Sequence, residues 1–339
     1  MSSTIAESGK LVYVEKNVVK AFPDRGAHLL SVLDHGKSHW GKTAQVRVKL
    51  QSGEQKSYLL KVIRLGDTGC EMCEGEYESL KAIDAVVPGF VPKPYAWGPY
   101  EDGEAYFLLA EFREFRSQPA KAESLAKGLA KLHAQSVSPT GRFGFHTRTN
   151  HGRIRQNVGF WDDSWCAVLQ AHLGHIIDLA GPILVDLPNF DAVAQLVLKH
   201  VVPRLLLPLQ QDGRALKPSL LHGDCWDGNT ATDARTGEAF VFDPCSFYGH
   251  NEYDVGNWRA PRHELSDGSY MASYKKHMEP SEPKEDWDAR NLLYSLPFNL
   301  GNAMYVPGSD QGPVVYKDMV KLCELFCKDE LAGLDMVGT

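Results

Sequence analysis

Val46-Arg-Val48-Lys-Leu50 alternates apolar and polar side chains with period two, Gln51-Ser-Gly53-Glu supplies a turn, and Ser57 to Ile63 reads as a second strand. Together these stretches predict a hairpin. From Cys73 to Val87 the apolar Leu80, Ile83 and Val87 share one helical face, and Pro88-Gly89 stops the helix. Tyr106 to Phe112 predicts another strand. After about Arg113 the pattern turns helical: Leu125, Leu129 and Leu132 share one face, and Val193 to Leu206 carries a second apolar stripe that Pro203 and Pro208 would end or kink. Short strands are expected at Ser219 to His222 and around Thr230 and Phe240, the last two joined by the turn Asp233 to Gly237. No internal repeat or low-complexity tract interrupts this order. The pattern predicts an α+β chain of two lobes, a sheet with one helix over residues 1–113 and a mainly helical lobe over 114–339.

Composition agrees with that reading. A chain of 339 residues with 43% hydrophobic content can bury two cores without disulfides or structural metals. The net charge of -7, with 36 basic residues scattered among 43 acidic ones, offers no basic stripe for nucleic acid. The opening MSSTIAESGKLVYVEKN lacks a secretory apolar core, and no run is expected to reach the roughly 18 apolar residues that span a bilayer, so a cytoplasmic protein with no membrane partner is expected. Seven cysteines suit a reducing compartment, and the Cys70/Cys73 pair has no second Cys or His pair at metal-binding spacing, so both read as ordinary thiols.

Candidate chemistry changes the picture more. Asp224 follows His222 and Gly223 at a strand end and precedes Asn229 by five positions, which is the catalytic-loop spacing H-x-D-x-x-x-x-N of kinases. Phosphoryl transfer needs a group to orient the acceptor hydroxyl and take its proton, ligands for magnesium, and a cation on the nucleotide phosphates. Asp224 fits the base and Asn229 a magnesium ligand. The strand Ala239-Phe-Val-Phe242 delivers Asp243, a second magnesium ligand, and Lys61 on its strand with Glu76 on the next helix matches the lysine–glutamate pair that positions phosphates. Glu74 and Glu78 are rival partners for Lys61.

Each residue also has a plainer reading. His222 could be a satisfied core histidine, Lys61 a solvated strand lysine, and Asp243-Pro244 the start of a turn. Their order along the chain favours a protein-kinase-like two-lobe fold that uses ATP and Mg2+. A competing pattern, Gly36-Lys-Ser38-His-Trp-Gly41-Lys42-Thr43, matches the phosphate-binding loop G-x-x-x-x-G-K-[ST]. That loop requires a helix to begin at the lysine so that its amides cradle phosphate, whereas Ala44 to Leu50 continues as a strand. Gly36, Ser38 and Gly41 are therefore expected in a loop that covers the nucleotide, although each could be a plain turn residue.

Leu221-His-Gly-Asp224-Cys-Trp226-Asp-Gly-Asn229, with Phe242-Asp243-Pro244-Cys-Ser-Phe-Tyr248-Gly-His250-Asn251-Glu252-Tyr253-Asp254, resembles the fructosamine and ketosamine 3-kinases, especially fungal members. Ser138-Pro-Thr-Gly-Arg-Phe-Gly144-Phe-His146 and Trp161-Asp-Asp-Ser-Trp165 resemble further stretches of that family. The likeness runs from about Ser31 to Tyr305. It implies a fold similar to aminoglycoside phosphotransferases, with ATP between the lobes and Glu111, Phe112 and Arg113 as the hinge beside adenine. It implies a ketosamine acceptor, formed when a sugar glycates lysine, phosphorylated on the hydroxyl of the sugar's third carbon. Trp226, His222, Tyr248 and His250 are implied at the acceptor side, with Trp226 either an aromatic platform for a sugar face or packing under the loop. Asp254 matches a position that braces the catalytic loop.

Two departures stand out. Cys225 replaces a usual leucine, and Ile154-Arg155-Gln156 lacks the proline expected before the glutamine. Arg155 adds a cation near a segment that could face substrate, which would suit an anionic acceptor, or it could be a surface change. Alternative acceptors are an aminoglycoside-like sugar or a specialised metabolite hydroxyl, and the alternative outside enzymes is a nucleotide-binding regulator.

Overall fold

The computed structural model describes residues 14–35, 41–306 and 308–334. The expected loop residues Gly36 and Ser38 lie outside them. The first elements are α1 (Lys16–Lys20), β1 (His28–Asp34), β2 (Lys42–Lys49), β3 (Gln55–Ile63), α2 (Gly66–Val86), β4 (Pro94–Pro99) and β5 (Tyr106–Glu111). They build a five-stranded sheet in the order β1-β2-β3-β5-β4, every pairing antiparallel. Lys49 pairs with Gln55 across the predicted turn, so the hairpin falls where the alternation puts it.

Period two also explains how the sheet is covered. Phe107 and Leu109 of β5 join Val46, Val48, Tyr58 and Leu60 in a core closed by Val18 of α1 and Phe22, while Leu108, between them, enters the core of Leu80 and Ile83 on α2. Burying each such side chain stabilises by about 1.5–3 kcal/mol. The helix α2 begins seven residues earlier than its apolar stripe predicts. Its first turns, Gly66 to Glu71, carry no stripe, and their one clear start signal is Asp67 near the positive helix end.

The remaining elements are β6 (Phe115–Ser117), α3 (Ala122–Gln135), β7 (Phe143–Gly144), β8 (Asn150–His151), β9 (Ile154–Arg155), β10 (Trp161–Asp162), α4 (Trp165–Ala180), α5 (Phe190–Leu196) and α6 (Val202–Leu206). After them come β11 (Ser219–Leu220), β12 (Thr230–Asp233), β13 (Ala239–Val241), β14 (Tyr248–Gly249), α7 (Gly268–His277), α8 (Trp287–Tyr305), α9 (Gln311–Phe326) and α10 (Lys328–Ala332). The helices bury one continuous core that also takes in α2.

The stripe Val193 to Leu206 is one helical run broken by a π turn at Val197–Val201 just before Pro203. Proline cannot donate to the preceding turn, and the wider turn absorbs the mismatch. Contrary to expectation, the helical run over residues 190–210 is long and apolar enough to cross a membrane by length and composition. Its apolar side, Val193, Val197, Val201 and Leu205, is buried in the protein core, against α4 and α9.

Three short pieces position the site. A sheet in the order β13-β12-β6 flanks the catalytic loop, and the two-stranded β8-β9 hairpin brings His151 up to it. A 3-10 turn over Asn251–Arg259 packs on α8. Residues three apart are stacked on such a turn, which sets Asp254 and Asn257 on one side.

Candidate active site

A cavity of about 410 Å³ lies between the sheet and the helical region, lined by Lys61, Asp243, Glu111, Phe112, Arg113, Thr43 and Phe242 among others. Lys61 sits in register between Thr43 of β2 and Leu108 of β5, so its side chain is fixed from both sides. Its Nζ donates to Glu76 Oε2 at 2.7 Å and to Asp243 Oδ1 at 2.8 Å. Of the three candidate glutamates Glu74, Glu76 and Glu78, Glu76 is the partner; Glu78 pairs with Lys81 and His146.

Burial alone would push the Lys61 ammonium down, but the two carboxylates hold it well above the ordinary lysine value. Glu76 is pushed up to about 7 by burial, with Asp243 adding to the rise and Lys61 opposing it. One cation thus faces two acids, and of these Asp243 is the one open to solvent, with a side chain 47% exposed. Asp243 also adopts a φ of 55° without being glycine. Strain of this kind, about 1–3 kcal/mol, concentrates at functional sites.

The candidate catalytic loop is knitted to its neighbours by backbone hydrogen bonds from Phe242 N to Asn229 O and from Cys245 N to His222 O. Gly223 has φ 87°, and a Cβ there would lie 2.2 Å from Cys245 O, so only glycine fits between His222 and Asp224. Asp254 is fully buried and accepts from the amides of His222 at 2.7 Å and Gly223 at 2.8 Å, while His133 on α3 meets it at 3.0 Å. Asp224 Oδ2 accepts from Asn229 Nδ2 at 3.0 Å. Asp224 Oδ1 faces His151 Nε2 at 3.2 Å and Asn257 Nδ2 at 3.5 Å. Burial would raise Asp224, but the charge and hydrogen bond of His151 outweigh it and hold the carboxyl below the usual carboxylate range.

Beyond Asp224 opens a second cavity of about 210 Å³, lined by His151, Trp226, Asn257, Arg262 and His263 among others. The Trp226 ring stands 5.3 Å from that of His263, and a Cβ on Gly228 would meet the indole at 2.3 Å. Trp226 thus packs on the loop and also lines the cavity.

Several expected positions fall elsewhere. His222 is buried with Nε2 facing Phe242 O at 3.0 Å and Nδ1 accepting from Asp224 N at 3.2 Å, so both ring nitrogens are used inside the protein. Burial holds it below the ordinary histidine value. It brackets the two acidic segments and lines neither cavity. His250 is equally enclosed, between Tyr294 and Ser281, and Tyr248 is buried in β14 against Phe145 and Trp161. Neither reaches the second cavity. Arg155 points away as well, its guanidinium on Glu71 of α2 at 2.6 Å. A Cβ on Gly41 would lie 2.7 Å from Val62 O, so close packing against β3 accounts for its small size, and Lys42 and Thr43 lie on β2 instead of opening a helix. Cys225 is buried, as are six of the seven thiols, and all seven are free; burial pushes the Cys225 thiol up.

Among the residues of the second cavity that escaped the sequence reading are His151, Asn257, Arg262 and His263. His151 arrives on a two-residue strand too short to announce itself, and Arg262-His263 follows a 3-10 turn with no periodic pattern. The position of Asn257, three after Asp254, was the one available signal.

An antiparallel sheet lobe over a helical region, with a lysine–glutamate pair facing a loop aspartate, defines the protein-kinase-like class. The fructosamine kinase family model matches residues 30–311, and the chain belongs to that family. It is 31% identical over 233 residues to the chloroplastic protein-ribulosamine 3-kinase of rice (Oryza sativa subsp. japonica), a match covering 68% of this chain and 63% of that protein. The chain thus spans somewhat less than two thirds of the rice protein's length. In fold it is similar to a candidate fructosamine-3-kinase from Haemophilus somnus, with TM-score 0.70, 19% identity and coverage of 87% of this chain and 92% of that one. It is also similar to a thermostable mutant of the aminoglycoside phosphotransferase APH(4)-Ia, solved with AMP-PNP and hygromycin B, with TM-score 0.55, 14% identity and coverage of 91% and 98%.

Proposed function

We propose that this chain is an ATP-dependent kinase that phosphorylates a sugar hydroxyl of a ketosamine, a ribulosamine or fructosamine carried on lysine. The observation that carries the reading is the position of Asp224: its carboxylate lines the second cavity, while Asn229, hydrogen-bonded to it, is tied by backbone to the segment that delivers Asp243 to the first. The nucleotide fits the larger cavity, adenine beside Glu111 to Arg113 and phosphates toward Lys61, which Glu76 holds in place. The acceptor fits the smaller one.

Asn257 Oδ1 and His263 Nε2 are buried without partners. His263 Nδ1 faces Asp227 Oδ1 at 3.4 Å, which assigns its proton to that side and leaves Nε2 as an acceptor. Two unused acceptors and a carboxylate around one cavity suit a ligand rich in hydroxyl groups. Asp224 orients the attacking hydroxyl and takes its proton as the oxygen bonds to the γ-phosphorus and the bond to the β–γ bridging oxygen breaks, releasing ADP. The solvent-open carboxylate of Asp243 and the oxygen of Asn229, whose backbone is tied to the same segment, fit a magnesium ion, which when bound would neutralise phosphate charge.

The test is ADP release by the full chain with ribulosyl-lysine, fructosyl-lysine and aminated sugars. Acceptor-dependent release is expected with a ketosamine and lost in Asp224→Asn and Asp243→Ala. ATP binding with no acceptor-dependent release would defeat the reading.

A further inference from the structure

The second cavity holds a cation that sugar hydroxyls do not explain. Arg262 donates through Nη1 to Asn299 Oδ1 at 2.6 Å and to Gln311 Oε1 at 2.9 Å, both neutral amides. Among the described residues no carboxylate lies within 4.0 Å of its guanidinium, and its buried Nε has no partner. This differs from Arg290, which is fully buried and has Glu252 at 2.9 Å. A guanidinium is always charged, and this one, partly buried and hydrogen-bonded to amide oxygens, keeps donors available for a ligand, with Asp227, Asp224 and Asp310 acting on its charge from beyond ion-pair distance.

The lining as a whole has the same bias. Two arginines, Arg153 and Arg262, stand around the cavity against a single acid, Asp224. His151 Nε2 faces Asp224 and His263 Nδ1 faces Asp227, whereas Arg262 is hydrogen-bonded to neutral amides. Asn299 on α8 and Gln311 at the start of α9 are themselves buried, so the arginine is oriented from behind by two rigid helices.

We propose that Arg262 is the anion-binding residue of the acceptor site, and that the acceptor is a ketosamine bearing an oxyanion in addition to its sugar hydroxyls. The proposal rests on the functional reading above. An oxyanion can come from two sources: the carboxylate of a free amino acid whose amine carries the sugar, or a phosphate already on the sugar. Either would form charge-assisted hydrogen bonds with a planar fork that is already in place.

The experiment uses the full chain and two matched pairs of acceptors. One pair is ribulosyl-lysine and its carboxamide, and the other is a ribulosamine of a neutral amine with and without a 5-phosphate. We expect kcat/KM for the anionic member of at least one pair to exceed that of its neutral partner by about tenfold or more, carried by KM. Which pair responds identifies the source. In Arg262→Gln that ratio falls to about one, and in Arg262→Lys, which keeps the charge but loses the fork, it is intermediate. Binding of the same pairs, followed through the fluorescence of Trp226 in the cavity wall, gives the preference independently of turnover. Equal KM and equal binding within both pairs overturn the inference while leaving the kinase reading intact. A loss in Arg262→Gln shared equally by anionic and neutral acceptors also overturns it, since that result assigns the charge to the transferred phosphoryl group. No turnover of any ketosamine removes the functional reading, and the inference with it.

Discussion

His151 Nε2 stands 3.2 Å from Asp224 Oδ1, so the proposed base is held by an imidazole that belongs to a different segment of the fold. Burial favours the protonated acid and His151 opposes it, with the net result that Asp224 lies below the ordinary carboxylate range. Removing the imidazole as His151→Gln leaves burial less opposed, and Asp224 moves up. A base must be unprotonated to act, so the acid limb of kcat/KM against pH moves to higher pH in the variant. A limb at the same pH in both proteins would mean that His151 does not act on Asp224.

The same pair has a signature in stability. Burial opposes the charged form of His151, yet Asp224 raises it above its ordinary value of 6.5, so its contribution is full below that pH and fades as pH rises through the folded value. Asp224 is depressed below 3.8, so its contribution is full above that pH and fades as pH falls through the folded value. The window common to both runs from about 4 to about 6.5. Urea unfolding should therefore show His151→Gln less stable than wild type at pH 5.5, with the gap narrowing at pH 8.5. A gap of constant size would assign it instead to packing against Phe298, whose ring lies 5.7 Å from that of His151.

Lys61 is shared between Glu76 and Asp243, which ties nucleotide grip to the acid proposed for magnesium. Glu76→Gln removes one of the two negative partners, leaving Lys61 drawn to Asp243 alone. Magnesium must then compete with a full ammonium for that carboxylate, and the free Mg2+ giving half-maximal rate should rise severalfold at fixed ATP. Lys61→Met should instead lower kcat/KM for ATP by about 10²–10³, the usual effect of losing one charge-stabilising donor. An unchanged magnesium titration in Glu76→Gln would break the coupling argument.

Asp254 holds two amides of the loop while lining neither cavity. Asp254→Ala leaves two buried amides and the His133 ring without their acceptor, a loss of about 3–5 kcal/mol by urea titration. Asp254→Asn keeps one carbonyl oxygen and should fall between. A loss under about 1 kcal/mol for the alanine variant would show that the loop is held from elsewhere.

What the sequence disclosed follows from where the information lies. Lys61, Glu76, Asp224, Asn229 and Asp243 were legible because strand alternation, helical periodicity and catalytic-loop spacing are local patterns. The hairpin of β2 and β3 and the continuation of a strand past Lys42 were legible for the same reason, and the latter removed the competing phosphate-loop reading. The second cavity was not. His151, Asn257 and Arg262 converge from a two-residue strand, a 3-10 turn and the loop after it, none of which imposes a repeating pattern. His222, Tyr248 and His250 misled because adjacency to a motif does not specify which way a side chain points: the strand and turn that carry them direct all three inward.

Arg155 tests that last point, since it and Arg262 are both arginines and only one lines the acceptor cavity. Its guanidinium makes a two-pronged contact with Glu71 at 2.6 and 2.8 Å, in the open, with Arg148 on the same carboxylate at 3.1 Å. An exposed pair contributes about 0–1 kcal/mol, and here Arg148 remains to hold Glu71 when Arg155 is lost. Arg155→Ala should therefore cost less than about 1 kcal/mol in urea, a difference that shrinks further in 0.5 M salt as the charges are screened. Because the side chain faces α2 and not the cavity, the preference between anionic and neutral acceptors should be the same as in wild type. A ratio that collapses in Arg155→Ala as it does in Arg262→Gln would mean that the Glu71 contact opens when acceptor binds and that Arg155 turns inward.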